Sequence, residues 1–255
     1  MSTTQRWAIV TGGVSGIGRE IALAFARDGW DIAVSHLDDD GRADRFAADV
    51  VASGRRAFIA RSDAGIANEV DMFFDEASRA LGGAPRVLVN NAGVQTWSAL
   101  LDLAEGDWDR VIRTNLKGCF LNTQKAARLM IGAGQGGVIV NIGSGCNKVP
   151  FPNLVDYSAS KAGIDQLTRS SAMELGPHGI RVNCVAPGAI EIERTRKETP
   201  DYGAVWSRVT PLRRIGTPTD VADAVLFLCG EQASFITGQT LGVDGGVMLA
   251  PNWPY

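Results

Sequence analysis

Histidine is scarce in this 255-residue chain, with only His36 and His178, and the four cysteines stand singly at Cys119, Cys146, Cys184 and Cys229. Such a set makes neither a CxxC pair nor a recognisable ligand spacing, which argues against a zinc site and against a Cys/His nucleophile. No metal is expected, and the lone cysteines read as free thiols of a reducing compartment, the cytoplasm by default. Positive charge is not concentrated anywhere. The formal net charge is -3, and the densest basic group, Arg194, Arg196 and Lys197, is flanked by Glu193 and Glu198. Nucleic acid and anionic membrane surfaces are therefore not expected partners. Also missing are any apolar run near the roughly 20 residues that span a bilayer, any Pro-, Gly- or Ser-rich linker, and any repeat. With 45% hydrophobic and 21% charged residues, a single domain over residues 1–255 is the economical expectation.

What the chain does contain is a repeated alternation of short apolar runs and longer amphipathic stretches. Arg6 to Thr11 reads as a strand, a glycine-rich turn follows, and Arg19 to Asp28 places Ile21, Ala22, Phe25 and Ala26 on one helical face. Further strands are predicted at Asp31 to Ser35, Arg56 to Ala60, Arg86 to Asn90, Gly137 to Ile142, Arg181 to Ala186 and Gln239 to Val243. Helices are predicted near 41–53, over Glu69 to Leu81, over Glu105 to Leu129 with an internal break, over Ser158 to Leu175 and over Pro218 to Cys229. Runs such as Val87-Leu88-Val89 and Val138-Ile139-Val140 are apolar throughout, which requires burial on both faces. The expected fold is α/β, a Rossmann-type doubly wound parallel sheet of about seven strands with helices on both faces. Glu191 to Pro211 is polar and lacks a clear period, so a flap over a site is expected at about 190–212.

The turn after the first strand is Thr11-Gly12-Gly13-Val14-Ser15-Gly16-Ile17-Gly18. Glycines there let a pyrophosphate approach helix N–H groups, and the helix dipole favours the negative charge. Three residues separate Gly12 from Gly16, so the spacing is not GxGxxG. Together with later segments it resembles the short-chain dehydrogenase/reductase family. The turn matches TGxxxGxG, Asn90-Asn91-Ala92-Gly93 matches NNAG, and Tyr157-Ser158-Ala159-Ser160-Lys161 matches YxxxK, with Ser144 thirteen residues earlier. Asn115 stands at the family's asparagine, Pro187-Gly188 matches its PG turn, and Asp244-Gly245-Gly246 its C-terminal segment. The resemblance runs from about Trp7 to Gly246 and implies an NAD(P)-dependent enzyme that interconverts an alcohol and a carbonyl compound, assembled as a homotetramer or dimer.

Tyr157 and Lys161 are four apart, which puts both on one face of a helix. A phenol is a poor base at neutral pH, and an ammonium beside it favours the ionised form. The pair thus suits the proton transfer that must accompany hydride transfer. The resemblance implies that Ser144 hydrogen-bonds the substrate oxygen, that Lys161 also holds the nicotinamide ribose, and that Asn115 keeps a water near Lys161. It further implies cofactor contacts from Gly12, Ser15, Gly16, Ile17 and Gly18, from Ser35, His36 and Leu37 after the second strand, and from Asp63 and Ala64 after the third. Asn91, Ala92 and Gly93, the Tyr157–Lys161 pair, and Pro187, Gly188 and Ile190 complete that set.

Relatives selective for NAD carry an acid where this chain has His36, and Asp38, Asp39 and Asp40 come two places too late. His36 and Ser35 can donate to a 2′-phosphate, so NADP is favoured over NAD, although Leu37 lacks the arginine of many NADP-preferring relatives. The family's threonine four residues after the PG glycine is Ile192 here, leaving either Thr195 to substitute or the cofactor held less by this segment. Cys146, Asn147, Asn153 and Glu193, with Ser144 and Tyr157, are expected at the substrate, and Trp97, Phe151 and Trp206 as aromatic walls. Amides, an acid and aromatic faces suit a sugar or polyol. The alternative is a 3-oxoacyl-thioester reductase, for which Arg194, Arg196 and Lys197 would meet an acidic carrier. A nucleotide-binding regulatory protein without turnover is the third reading, disfavoured by the presence of Tyr157 and Lys161.

Overall fold

The computed structural model describes residues 6–37, 41–199 and 201–249. Its seven strands are β1 (Trp7–Thr11), β2 (Asp31–His36), β3 (Ala57–Arg61), β4 (Val87–Asn90), β5 (Gly137–Ile142), β6 (Ile180–Pro187) and β7 (Thr240–Val243). All pair in parallel, in one sheet ordered β3-β2-β1-β4-β5-β6-β7. The chain winds outward from β1 to β3, then returns to lay β4 on the other side of β1. Connections leave β1 and β4 in opposite directions there, which opens a crevice at the strands' carboxyl ends.

Among the described residues, nine α-helices flank the sheet: α1 (Gly16–Arg27), α2 (Arg42–Ala52), α3 (Ala67–Leu81), α4 (Glu105–Val111), α5 (Gly118–Gly132), α6 (Val155–Leu175), α7 (Glu193–Glu198), α8 (Tyr202–Val209) and α9 (Pro218–Cys229). Alternate strand residues feed opposite cores, which explains the absence of polar alternation. Ala8, Val10, Ile32, Val34, Val87 and Val89 pack with Phe25 of α1, Phe46 of α2 and Val225 of α9. Trp7, Ile9, Ala33, Leu88 and Ile139 pack with Phe73 and Phe74 of α3 and Met130 of α5.

Five elements differ from expectation. Helix α1 begins at Gly16 rather than Arg19, because Gly16-Ile17-Gly18 reads as turn, and α6 begins at Val155 rather than Ser158. The break expected within 105–129 is a π-turn over Ile112–Lys117 that joins α4 to α5 without interrupting them. The polar stretch after β6 contains α7 and α8. Helix α7 is held by Thr195 Oγ1 accepting from Ile192 N at 2.9 Å and by a Lys197–Glu193 pair at 2.7 Å, contacts that leave no hydrophobic signature. Among the described residues, no helix is long and apolar enough to cross a membrane.

A buried polar chain fixes α6 against the sheet. Asn90 Nδ2 donates to Asn141 Oδ1 at 2.8 Å and to Thr123 Oγ1 at 3.0 Å, and Asn141 Nδ2 donates to Thr168 Oγ1 at 2.9 Å. These bonds join β4, β5, α5 and α6. Removing one partner would strand another in the core, at a cost of about 1–3 kcal/mol.

Candidate active site

At the crevice floor, the end of β4 is tied to the end of β1. Thr11 Oγ1 accepts from Asn91 N and Ala92 N at 3.0 Å each, and Asn91 Nδ2 donates to the carbonyls of Thr11 at 3.0 Å and Gly12 at 3.1 Å. Gly18 lies against this knot: a Cβ there would collide with Asn91 Nδ2 and lie 2.5 Å from the Gly12 carbonyl. Helix α1 starts at Gly16, whose φ is +53°, and Ser15 at its N-cap gives no side-chain capping bond. The first N–H groups of a 12-residue helix are thus left to an outside acceptor, beside a glycine without a Cβ. This arrangement fits the pyrophosphate of a dinucleotide.

On the other side, the π-turn, α6 and the end of β5 bring together the four residues expected to act. Lys161 Nζ lies 5.4 Å from the centre of the Tyr157 ring and donates to the Ile142 carbonyl at 2.7 Å. Lys161 is buried, and one hydrogen bond leaves two of its three donors for other acceptors. The thiols behind it do not offset its charge, because burial pushes Cys119 up to about 12 and Cys184 up to about 11. Ser144 Oγ accepts from Cys146 N at 3.2 Å, so its own hydroxyl proton remains to be donated. Asn115, in the π-turn, accepts from Val94 N at 2.8 Å and donates to Val94 O at 2.9 Å and Ser160 Oγ at 3.0 Å. Its side chain therefore pins the β4–α4 loop to α6 rather than reaching Lys161.

A cleft of about 610 Å³ joins the two sides. Ile17, Asn91, Gly93, Ser144, Cys146, Tyr157, Lys161, Pro187, Gly188 and Ile190 line it, as do Trp97, Phe151 and Trp206. Phe151 bridges the two tryptophans, with ring centres 6.0 Å from each. Met248 also lines the cleft and packs on Gly145, directly beside Ser144.

Other expected residues stand elsewhere. Gly12, Ser15, Gly16 and Gly18 form the loop under the cleft, with Ala92 held on Thr11. Ser35, His36 and Leu37 end β2 alongside it, where Gly13 N donates to Ser35 O at 3.2 Å. Asp38, Asp39 and Asp40 lie outside the described residues. Asp63 Oδ1 accepts from Gly65 N at 2.8 Å and its other oxygen is 3.7 Å from Arg113, while Ala64 is buried. Asn147, Asn153 and Glu193, expected at the substrate, are not in the lining. Asn153 is exposed in a left-handed conformation, and Glu193 points outward to Lys197 at 2.7 Å and Arg42 at 3.7 Å. Thr195 does line the cleft, but its hydroxyl is spent on the Ile192 backbone, and Ile192 itself faces Gly16. Sequence reasoning missed Gln95, Arg110 and Tyr202, which line the cleft; of Arg194, Arg196 and Lys197, expected to meet an acidic carrier, Arg194 alone is in the lining. No periodic or motif signal marks them, because the loop after β4 and the path of α7 decide where they point.

A family model described as Enoyl-(Acyl carrier protein) reductase matches residues 12–248. An uncharacterized oxidoreductase of Escherichia coli (strain K12) is 41% identical over 244 residues, 95% of this chain and 96% of that protein. A 3-oxoacyl-acyl-carrier-protein reductase of Staphylococcus aureus (strain Mu50) is 38% identical over 242 residues, 95% of this chain and 98% of that protein. The crystal structure of acetoin dehydrogenase from Enterobacter cloacae superposes with a TM-score of 0.89 at 38% identity, covering 100% of both chains.

Proposed function

This chain belongs to the short-chain dehydrogenase/reductase family of NAD(P)-dependent oxidoreductases, and from that membership we propose that it reversibly reduces 3-oxoacyl thioesters to 3-hydroxyacyl thioesters. The observation that carries the chemistry is the placement of Lys161 Nζ 5.4 Å from the Tyr157 ring in a cleft shared with Ser144. Bound NAD(P)H supplies the hydride that the carbonyl carbon receives. Tyr157 gives its hydroxyl proton to the carbonyl oxygen, and Ser144 donates a hydrogen bond to the same oxygen as charge builds on it. Lys161 offsets the negative charge left on Tyr157, and its remaining donors suit ribose hydroxyls. Asn115 keeps α6, and with it Tyr157 and Lys161, at its distance from the β4–α4 loop.

Two considerations support this substrate class. The Staphylococcus aureus relative carries that activity in its name, and Trp97, Phe151 and Trp206 give an acyl chain an apolar wall. A sugar or polyol is the second reading. It is favoured by Phe151 and Trp206, whose planes meet at only 34° and can lie beneath a sugar ring. The amides and acid expected to pair with hydroxyls, however, stand outside the lining. We also propose NADP over NAD, since β2 ends in Ser35 and His36 rather than a carboxylate, a homotetramer, and a substrate flap at 190–212.

The test is initial rates on acetoacetyl-N-acetylcysteamine, aldoses and polyols, each with NADPH and NADH. The thioester with NADPH should give the highest kcat/KM. Tyr157→Phe should lower kcat by about 10²–10⁴-fold while cofactor binding, followed by fluorescence, is retained. Faster turnover of polyols would displace the thioester reading, and an active Y157F would remove the proton-transfer assignment.

A further inference from the structure

We propose that Met248 is a specificity-determining residue: it confines one substituent of the ketone to a methyl group, while the larger substituent leaves the cleft over the rings of Trp97, Phe151 and Trp206. This rests on the cleft being the oxidoreductase site, but not on the larger substituent being a thioester.

The cleft is closed beside Ser144 and open along the rings. Ser144, which holds the carbonyl oxygen, is followed by Gly145, which is buried. A Cβ on Gly145 would stand 2.8 Å from Met248 Sδ and 3.0 Å from Met248 Cγ, and would overlap Met248 Cε. Three consecutive atoms of the Met248 side chain therefore lie along the glycine, one residue from the hydroxyl that orients the ketone. Cys146, on the other side of Gly145, also lines the cleft, and its N–H donates to Ser144 Oγ at 3.2 Å. A carbonyl whose oxygen accepts from Ser144 sends its two substituents in diverging directions, and the one on this side meets Met248.

The backbone that carries Met248 is tied down. Met248 N donates to Asp244 Oδ2 at 3.1 Å, and Gly246 N donates to Asp244 Oδ1 at 2.9 Å. Asp244 packs in turn on Gly188, where a Cβ would stand 2.7 Å from the Asp244 Cβ. The Gly245 carbonyl accepts from Leu212 N at 3.2 Å. An unbranched thioether fills an irregular gap well, and on a fixed backbone it forms a wall that an added methylene has to displace. The opposite direction is open. Trp97 is 54% exposed and Phe151 38%, and Phe151 links Trp97 to Trp206 with ring centres 6.0 Å apart on each side. That line of rings reaches the surface, so a long substituent can follow it out to solvent. A closed end and an open apolar side sort the two arms of a ketone by length. In a 3-oxoacyl thioester the arm bearing the sulfur must lead out, so the acyl terminus faces Met248 and acetoacetyl is the preferred group.

Two matched pairs of ketones, each differing by one methylene on the short arm, test this with NADPH. One pair is 4-phenylbutan-2-one and 1-phenylpentan-3-one; the other is acetoacetyl-N-acetylcysteamine and 3-oxopentanoyl-N-acetylcysteamine. In the unaltered protein kcat/KM should favour the methyl ketone of each pair by about tenfold or more, the discrimination a hydrophobic pocket makes over a methylene. Met248→Ala should remove most of that preference and Met248→Val, a smaller change, part of it, with NADP binding followed by fluorescence to show that each variant is folded. An equal fall in kcat/KM for both members of a pair overturns the proposal, because Met248 would then only seat the turn of Ser144 or the cofactor. So does the lack of a methyl preference in the unaltered protein. If the phenyl ketones obey the rule and neither thioester is reduced, the thioester reading fails and the role of Met248 stands. If both thioesters are reduced equally well, the reverse holds. Reduction of none of the four overturns both.

Discussion

The two walls of the cleft are built on different principles. The wall carrying Ser144, Tyr157 and Lys161 is fixed by buried hydrogen bonds, from Asn90 through Asn141 to Thr168 and from Asn115 to Val94 and Ser160. The facing wall, residues 190–199 and 201–212, is held by exposed ion pairs, Arg42–Glu193, Lys197–Glu193 and Arg196–Glu191, and by the Thr195 cap. Buried polar bonds resist displacement because an unmade one has no water to replace it. Exposed ion pairs exchange readily with solvent and salt. Groups that must meet a reacting atom at fixed distance therefore sit on the first wall, and the second is free to differ with the substrate.

Asn115→Ala attacks the buried wall and should have the largest effect. Three hydrogen bonds are lost and Val94 and Ser160 lose their partner, so the denaturation midpoint should drop by the equivalent of about 1–3 kcal/mol, with kcat falling as well. Glu193→Gln attacks the exposed wall. It should leave the denaturation midpoint unmoved and raise KM by about two- to fivefold, and 0.5 M salt should imitate it in the unaltered protein, on the order of what an exposed pair contributes. A destabilised E193Q together with an unaffected N115A would reverse the comparison.

The smallest effect is expected where the exposed wall rejoins the fold, at the start of α9. Arg214, beside Asp220, and Thr217 hold the Asp220 carboxyl well below the usual carboxylate range. A depressed carboxyl supports the folded state above its unfolded value, about 4, and that support is lost as the pH falls toward the folded value. Asp220→Asn should therefore melt slightly below the unaltered protein at pH 7, with the gap narrowing on acidification below about pH 4. A gap independent of pH would mean that the cap, not the charge, matters there.

The same division governs what the sequence discloses. The buried wall is legible because each part has a one-dimensional signal: Val138 to Val140 as an apolar run, Tyr157 and Lys161 at helical spacing, glycines where β1 meets α1. Its π-turn is less so, since a widened turn and a break disturb periodicity alike. The exposed wall is nearly silent. Helices α7 and α8 bury no apolar stripe of their own, and the inward turn of Arg194 against the outward turn of Glu193 depends on Gln95 and Arg42, which are remote in the chain. Ile192 in place of a threonine was visible as a departure, but its consequence, a hydrocarbon over Gly16 and a threonine hydroxyl turned to its own backbone, needs three dimensions.

The seating of Met248 on Gly145 bears on how this protein should be handled. The thioether roofs the turn that presents Ser144, so Met248 is a component of the reaction chamber. Oxidation of Met248 to its sulfoxide would put a polar oxygen on that roof, and the resulting loss of turnover could be mistaken for a wrong choice of assay compound.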